Sequence, residues 1–126
     1  MSTVLNDLQD IFSIFQNNKI MERETFKIKA RLTLFETESG GRKTGIKTGY
    51  RPNHVFEYNE GIFKQTYIGQ ISFDNQERIM PGETADVEVE FINMLDIKRF
   101  ISVGRKWWIH EAAKRFGEAE IIEIIE

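Results

Sequence analysis

Cysteine is absent from all 126 residues. That excludes disulfides, thiolate metal ligation and a cysteine nucleophile, and it suits a reducing compartment. Histidine is scarce: His54 and His110 lie far apart, with no second histidine at ligand spacing, so a metal site is not expected. No long apolar run exists. The apolar part of the N-terminus, Val4 to Phe15, is broken by Asn6, Asp7, Gln9 and Asp10, and no basic residue precedes it. A signal peptide has the opposite arrangement, and a membrane span takes about 20 apolar residues. A cytoplasmic protein without a targeting or membrane segment is therefore expected.

The residues that catalysis requires are missing too. A nucleotide hydrolase needs a phosphate cradle such as Gly, four residues, Gly-Lys-Ser/Thr. Lys43-Thr44 matches only the end of that pattern: Arg42 stands where glycine is required, and Glu36, Glu38 and Ser39 precede it in place of a buried apolar strand. No serine stands in a nucleophile-elbow context. His110-Glu111 is an adjacent acid–base pair, but neighbouring strand residues point to opposite faces, which works against joint action. The expectation is a protein that is not an enzyme, with no catalytic residues, metal or cofactor.

What the chain does contain is bulk for a core: ten Phe, two Trp and three Tyr. At this length it forms one domain, able to bury roughly two-thirds of its unfolded surface. The formal charge of −3 argues against a general polyanion binder, yet it averages over strong patterning. Residues 98–115 hold Lys98, Arg99, Arg105, Lys106, Lys114 and Arg115 against the single acid Glu111. The final stretch holds Glu118, Glu120, Glu123 and Glu126 with no base. A local basic face on an acidic protein follows from such asymmetry.

The hydrophobic period changes once along the chain. Over residues 2–18, Val4, Leu8, Ile11 and Phe15 recur at helical spacing, widened by Leu5, Phe12 and Ile14, with Ser2 placed to cap and Asn17-Asn18 to stop. This predicts an amphipathic helix, with a linker to residue 25. Its stripe either packs on the protein's own sheet or serves as a docking or dimer surface. From Phe26 the period is two: Phe26, Ile28, Ala30, Leu32 and Leu34 alternate with Lys27, Lys29, Arg31 and Thr33, a half-buried strand with a basic outer face. A long polar loop follows over 36–49, then strands near 53–58, 65–73, 84–92, 105–111 and 119–125. Pro81-Gly82 has the chemistry of a type II turn, with proline fixing the second position and glycine free to take positive φ at the third. Several short strands of this kind predict a closed sheet, because closure removes exposed edges.

Three islands carry a resemblance. The first is Gly40-Gly41-Arg42-Lys43-Thr44, continued by Gly49-Tyr50-Arg51-Pro52 and Phe56; the second is Ile79-Met80-Pro81-Gly82-Glu83 with Val87 to Ile92; the third is Gly104-Arg105-Lys106-Trp107-Trp108-Ile109-His110-Glu111. In this order they resemble the third domain of bacterial elongation factor Tu, over roughly residues 26–126. The resemblance implies an all-β fold, a six-stranded antiparallel β-barrel over residues 26–126, to which the periodicity adds the N-terminal α-helix over 2–18 and its linker to residue 25. It also implies contact with the T stem of aminoacyl-tRNA through phosphate and ribose, which suits A-form RNA. The nucleotide-binding domain of that factor has no counterpart in this sequence, so GTP binding and hydrolysis are not implied.

Carried over position by position, the resemblance assigns Arg42, Lys43, Lys47, Arg51, Asn53 and Glu111 to a nucleic-acid face. The pattern is only partly kept. The family histidine after Gly-Gly-Arg becomes Lys43, a glutamine becomes Asn53, and a lysine becomes Asn93. The turn Glu-Gly-Gly becomes Glu111-Ala112-Ala113, and a later Gly-x-Gly becomes Gly117-Glu118-Ala119. The same loop residues also have a structural reading: Pro52 biases Arg51 to extended geometry, Gly49 allows a bend, and Arg51 is placed to pair with an acid in 83–90. For a protein partner, or self-association through the helix, the candidates are Leu8, Ile11, Phe12 and Phe15, together with Trp107 and Trp108, of which one ring must point inward. The expected function is a non-catalytic binding module contacting a protein, tRNA or both. The rival is a mimic, antagonist or immunity-type protein competing for the factor's partners.

Overall fold

A computed structural model describes residues 24–125 of the chain. The helix expected over 2–18, with its anchors Leu8, Ile11, Phe12 and Phe15, lies outside the described residues. Among the described residues there are eight strands: β1 (Thr25–Leu34), β2 (Ile46–Lys47), β3 (Asn53–Val55), β4 (Tyr67–Ser72), β5 (Arg78–Ile79), β6 (Thr84–Ile92), β7 (Lys106–Glu111) and β8 (Lys114–Ile124). Six of them close into a barrel in the order β1-β6-β4-β3-β7-β8, every pair antiparallel. β2 and β5 form a separate two-stranded ribbon. The expected six-stranded antiparallel barrel is what the chain forms.

Alternation places the core. Phe26, Ile28, Ala30, Leu32 and Leu34 of β1 face inward and pack with Ala85, Val87, Val89 and Phe91 of β6. At the centre Trp107 is fully buried, its ring stacked 5.4 Å from Phe56, which in turn stacks 5.0 Å from Phe100. The tryptophan pair is thereby resolved. Trp107 fills the barrel and cannot reach a partner, whereas Trp108 is half-buried on the outer wall against Tyr58 and Arg115.

The basic outer face of β1 is flanked by acids on both sides. Lys27, Lys29 and Arg31 stand opposite Glu90, Glu88 and Asp86 of β6, while Lys29 and Arg31 also stand opposite Glu123 and Glu120 of β8. Arg31 pairs with Asp86 at 3.3 Å and Lys29 with Glu123 at 3.7 Å. Exposed pairs of this kind contribute at most about 1 kcal/mol each. Their larger effect is to cancel the positive stripe, so β1 offers no polyanion surface.

The buried histidine His54 is a core polar group with both ring nitrogens engaged. Trp107 donates its indole N–H to Nδ1 at 2.9 Å, which leaves the proton on Nε2, and Nε2–H donates to the Gly69 carbonyl at 3.0 Å. Gly69 must lack a side chain here: a Cβ would stand 2.8 Å from the Phe91 ring and 3.0 Å from His54 Nε2. Desolvation holds the His54 pKa down at about 4, with the Gly69 hydrogen bond opposing the shift. The imidazole is neutral throughout the physiological range.

Candidate nucleic-acid interface at one end of the barrel

The loops that follow β1 and β4 and the turn between β7 and β8 meet at one end of the barrel. Main-chain hydrogen bonds fix this: Leu34 N–H donates to the Glu83 carbonyl, Gly82 N–H to Leu34 and Phe35 N–H to Phe116. The Pro81-Gly82 turn forms as its sequence predicts, with Gly82 at φ 90° and Glu83 N–H donating to the Met80 carbonyl at 2.9 Å. The glycine pair of the first island has two separate reasons. Gly40 takes φ 95°, and a Cβ on Gly41 would lie 2.0 Å from the Phe35 carbonyl oxygen.

Arg42 is the centre of this end. Its guanidinium donates through Nε to the Thr44 carbonyl at 3.1 Å, through Nη2 to Thr44 Oγ1 at 3.2 Å and through Nη1 to the Tyr50 hydroxyl at 3.0 Å. Nη1 also forms an ion pair with Glu111, and the Tyr50 hydroxyl donates to the same carboxylate. The cation lies 5.1 Å from the Tyr50 ring centroid and 5.6 Å from that of Phe116. Burial is the main reason that the Tyr50 phenol is pushed well above its usual range, followed by the hydrogen bond to Glu111. Arg42 and Glu111, both assigned to the nucleic-acid face, are thus brought together as partners of one another. They rivet the loop to the β7–β8 turn.

The remaining candidates occupy the same end. Lys43 and Lys47 are exposed, Asn53 is exposed at the start of β3, and Arg51 is half-buried beside the buried Pro52. Asn53 stands opposite His110, the neighbour of Glu111. Two cations that the sequence reading left out of the site join them. Arg78 is paired in register with Lys47 across the β2–β5 ribbon, and Lys114 reaches the Gly41 carbonyl at 3.4 Å. Lys114 had a signal in the basic stretch 98–115. Arg78 had none, because only the ribbon brings it beside Lys47. That stretch is also not one patch. Arg99 pairs with Asp96 and Glu57, Arg105 donates to the Phe56 carbonyl, and Lys98 lies over the Phe26 ring, all away from the loop end.

The turn Glu111-Ala112-Ala113 departs from glycine at a position with a conformational requirement. Ala112 has φ 54°, the left-handed region, which costs an L-residue about 1 kcal/mol relative to glycine. His110 and Glu111 diverge as expected: a register shift at Ile109/His110 sends His110 into contact with Tyr58 and Phe63, while Glu111 turns to Arg42. Desolvation, the leading cause, lowers the His110 pKa. A groove of about 560 Å³ on the outer wall is lined by Phe56, Tyr58, Lys64, Tyr67, Phe100 and Trp108, among others. Its rim is held by Asp96, which accepts from the Tyr67 hydroxyl at 2.8 Å and from Arg99 Nε at 2.7 Å. Burial first, then Asp96, raises the Tyr67 phenol to about 12. The Tyr67 hydrogen bond is the main cause of the lowered Asp96 pKa.

This geometry, which gathers Arg42, Tyr50, Pro81-Gly82 and Glu111 of the three islands at one barrel end, agrees with a direct comparison. Residues 22–125 match the family model described as the elongation factor Tu C-terminal domain. The chain belongs to that family. In elongation factor Tu this is a non-catalytic domain, and the present chain is accordingly a module related to a translation factor. Among the described residues of this elongation factor Tu C-terminal domain, no group of three or more His, Asp or Glu residues is arranged to hold a metal ion. No described helix is long and apolar enough to cross a membrane.

Proposed function

We propose that the chain is a non-catalytic RNA-binding module of the cytoplasm that holds the backbone of a tRNA stem at the loop end of its barrel. The observation that supports this most is the rivet between Arg42, Tyr50 and Glu111, which fixes a loop carrying exposed Lys43 and Lys47. Lys114 and Arg78 extend the set. Lysine ammonium groups on a fixed loop meet phosphates as point charges, and Asn53 offers both a donor and an acceptor to a ribose hydroxyl. Arg42 acts by positioning in this reading, and Glu111 by fixing Arg42.

Binding that rests on phosphate contacts releases counterions, so affinity falls steeply with salt. Exchanging Lys43 and Lys47 together for alanine is expected to weaken binding of purified tRNA roughly tenfold at low salt. The slope of log affinity against log salt is expected to flatten by about two charges. Fluorescence anisotropy over a salt series measures both. An unchanged slope removes the loop from the interface.

A second reading has its own observation. Trp108 presents a half-buried ring beside Tyr58 on the groove wall, a contact that suits a protein partner. On that reading the module copies one domain of the factor and competes for its protein partners, as an antagonist or immunity-type protein would. Pull-down with and without ribonuclease separates the two: partners lost with the RNA favour the first reading, and ribonuclease-resistant partners favour the second.

A further inference from the structure

The opposite end of the barrel carries an apolar patch. There the start of β1, the ends of β6 and β8 and the loop 93–105 converge: Thr25 stands opposite Ile92, Ile28 opposite Ile124, and Gly104 N–H donates to the Ile121 carbonyl at 2.8 Å. Leu95 is 66 % exposed, Val103 64 %, Ile124 46 % and Ile125 38 %, four of the six large apolar side chains exposed among the described residues. Leu95 is also held at φ 54°, so a bulky side chain is kept in a left-handed conformation with its apolar surface in water.

The chain enters the fold at this same end. Asn93 N–H donates to the Glu24 carbonyl, one residue before β1, so the first described residue stands at the edge of the patch. Charge favours the same contact: within residues 93–106 Arg99 is taken up by Asp96 and Glu57 and Lys106 stands opposite Glu120, but Lys98 and Arg105 have no carboxylate ion pair among the described residues, whereas residues 2–18 carry Asp7 and Asp10 with no base. We infer that residues 2–18 seat on this end of the barrel, with Leu8, Ile11, Phe12 and Phe15 covering Leu95, Val103, Ile124 and Ile125. The five residues 19–23 reach up to about 17 Å, and a helix over 2–18 is about 25 Å long. A tether that short gives an effective concentration in the millimolar range, which favours the chain's own segment over a second copy.

The absence of cysteine makes the test direct. A nitroxide is placed on the full chain at Ser102→Cys, beside the patch, or at Glu38→Cys, at the loop end; both positions are exposed. Amide signals of residues 8–15 are expected to lose more than half their intensity with the label at 102 and less than a tenth with it at 38. Attenuation by neither label, or equally by both, overturns the inference. Attenuation that appears when labelled and isotope-enriched chains are different molecules assigns the patch to a second copy and overturns it as well. In the pair Leu95→Asp and Val103→Asp, the effect at 102 is expected to fall at least fivefold while the barrel amide shifts stay in place. Full retention of the effect in that variant overturns the proposed contact.

Discussion

Replacing Arg42 with alanine is expected to destabilise the barrel by about 3 kcal/mol. The change removes charge-assisted hydrogen bonds to Tyr50 and Thr44, the ion pair with Glu111 and the cation held against the Tyr50 and Phe116 rings. A hydrogen bond from a charged donor contributes about 1.5–3 kcal/mol and a partly desolvated cation–π contact about 0.5–2 kcal/mol, though such terms do not add fully. At about 4–8 °C per kcal/mol for a domain near 100 residues, the melting temperature is expected to fall by roughly 12–24 °C. Arg42→Lys keeps the charge without the planar fork, so it is expected to recover less than half of the loss. A melting temperature within about 3 °C of the parent in Arg42→Ala would mean that the loop is attached by other contacts. The same variant separates positioning from binding: RNA affinity is expected to fall through disorder of the loop, with a smaller change in salt slope than in the Lys43 and Lys47 exchange.

Acid is expected to act on the core through His54. Above the ordinary histidine pKa of 6.5 the folded and unfolded chains are both neutral at this position, so the group contributes no pH dependence. Between 6.5 and about 4 the unfolded chain binds a proton that the buried ring refuses. Stability therefore falls as pH falls through that window, by about 3 kcal/mol from pH 7 to pH 4 for this group alone. His54→Gln lacks the titration but disturbs the partners on either side. It is expected to be less stable than the parent at pH 7 by roughly 1–3 kcal/mol, because Trp107 N–H and the Gly69 carbonyl are buried there. At pH 4 the deficit should vanish or invert. Urea unfolding at both pH values checks it, and parallel pH profiles for parent and variant would exclude His54 as the acid-sensitive group.

Most of the barrel is legible in the sequence because its physics is local. The two-residue alternation of Phe26 to Leu34 and of Ala85 to Phe91 reports which face is buried, and these strands fall within a residue of their expected bounds. Pro81-Gly82 forms the turn that its backbone chemistry requires. The misses occur where pairing is set by distant partners. β8 starts at Lys114 rather than 119, because the tight turn at Ala112 carries pairing back to Glu111 and Lys114. β3 shrinks to Asn53–Val55, and the ribbon of β2 and β5 arises inside segments too short to show a period.

The candidate site divides along the same line. The residue types at the loop end, and the glycine pair that lets the loop fold tightly, stand in the sequence at fixed spacing. Their roles do not. Arg42 and Glu111 are 69 positions apart, and only barrel closure brings one charge to the other, turning two presumed ligands into an internal rivet. The same holds for the charges on β1. Its lysines and arginine alternate as a basic face in sequence, and the acids that neutralise it arrive from β6 and β8. Composition and period thus determined that this chain would close an all-β barrel with a cationic, glycine-rich loop. Which cations remain exposed to a partner was decided by the tertiary structure, because a charge is neutralised by whatever lies within a few ångströms in space, wherever it stands in the chain.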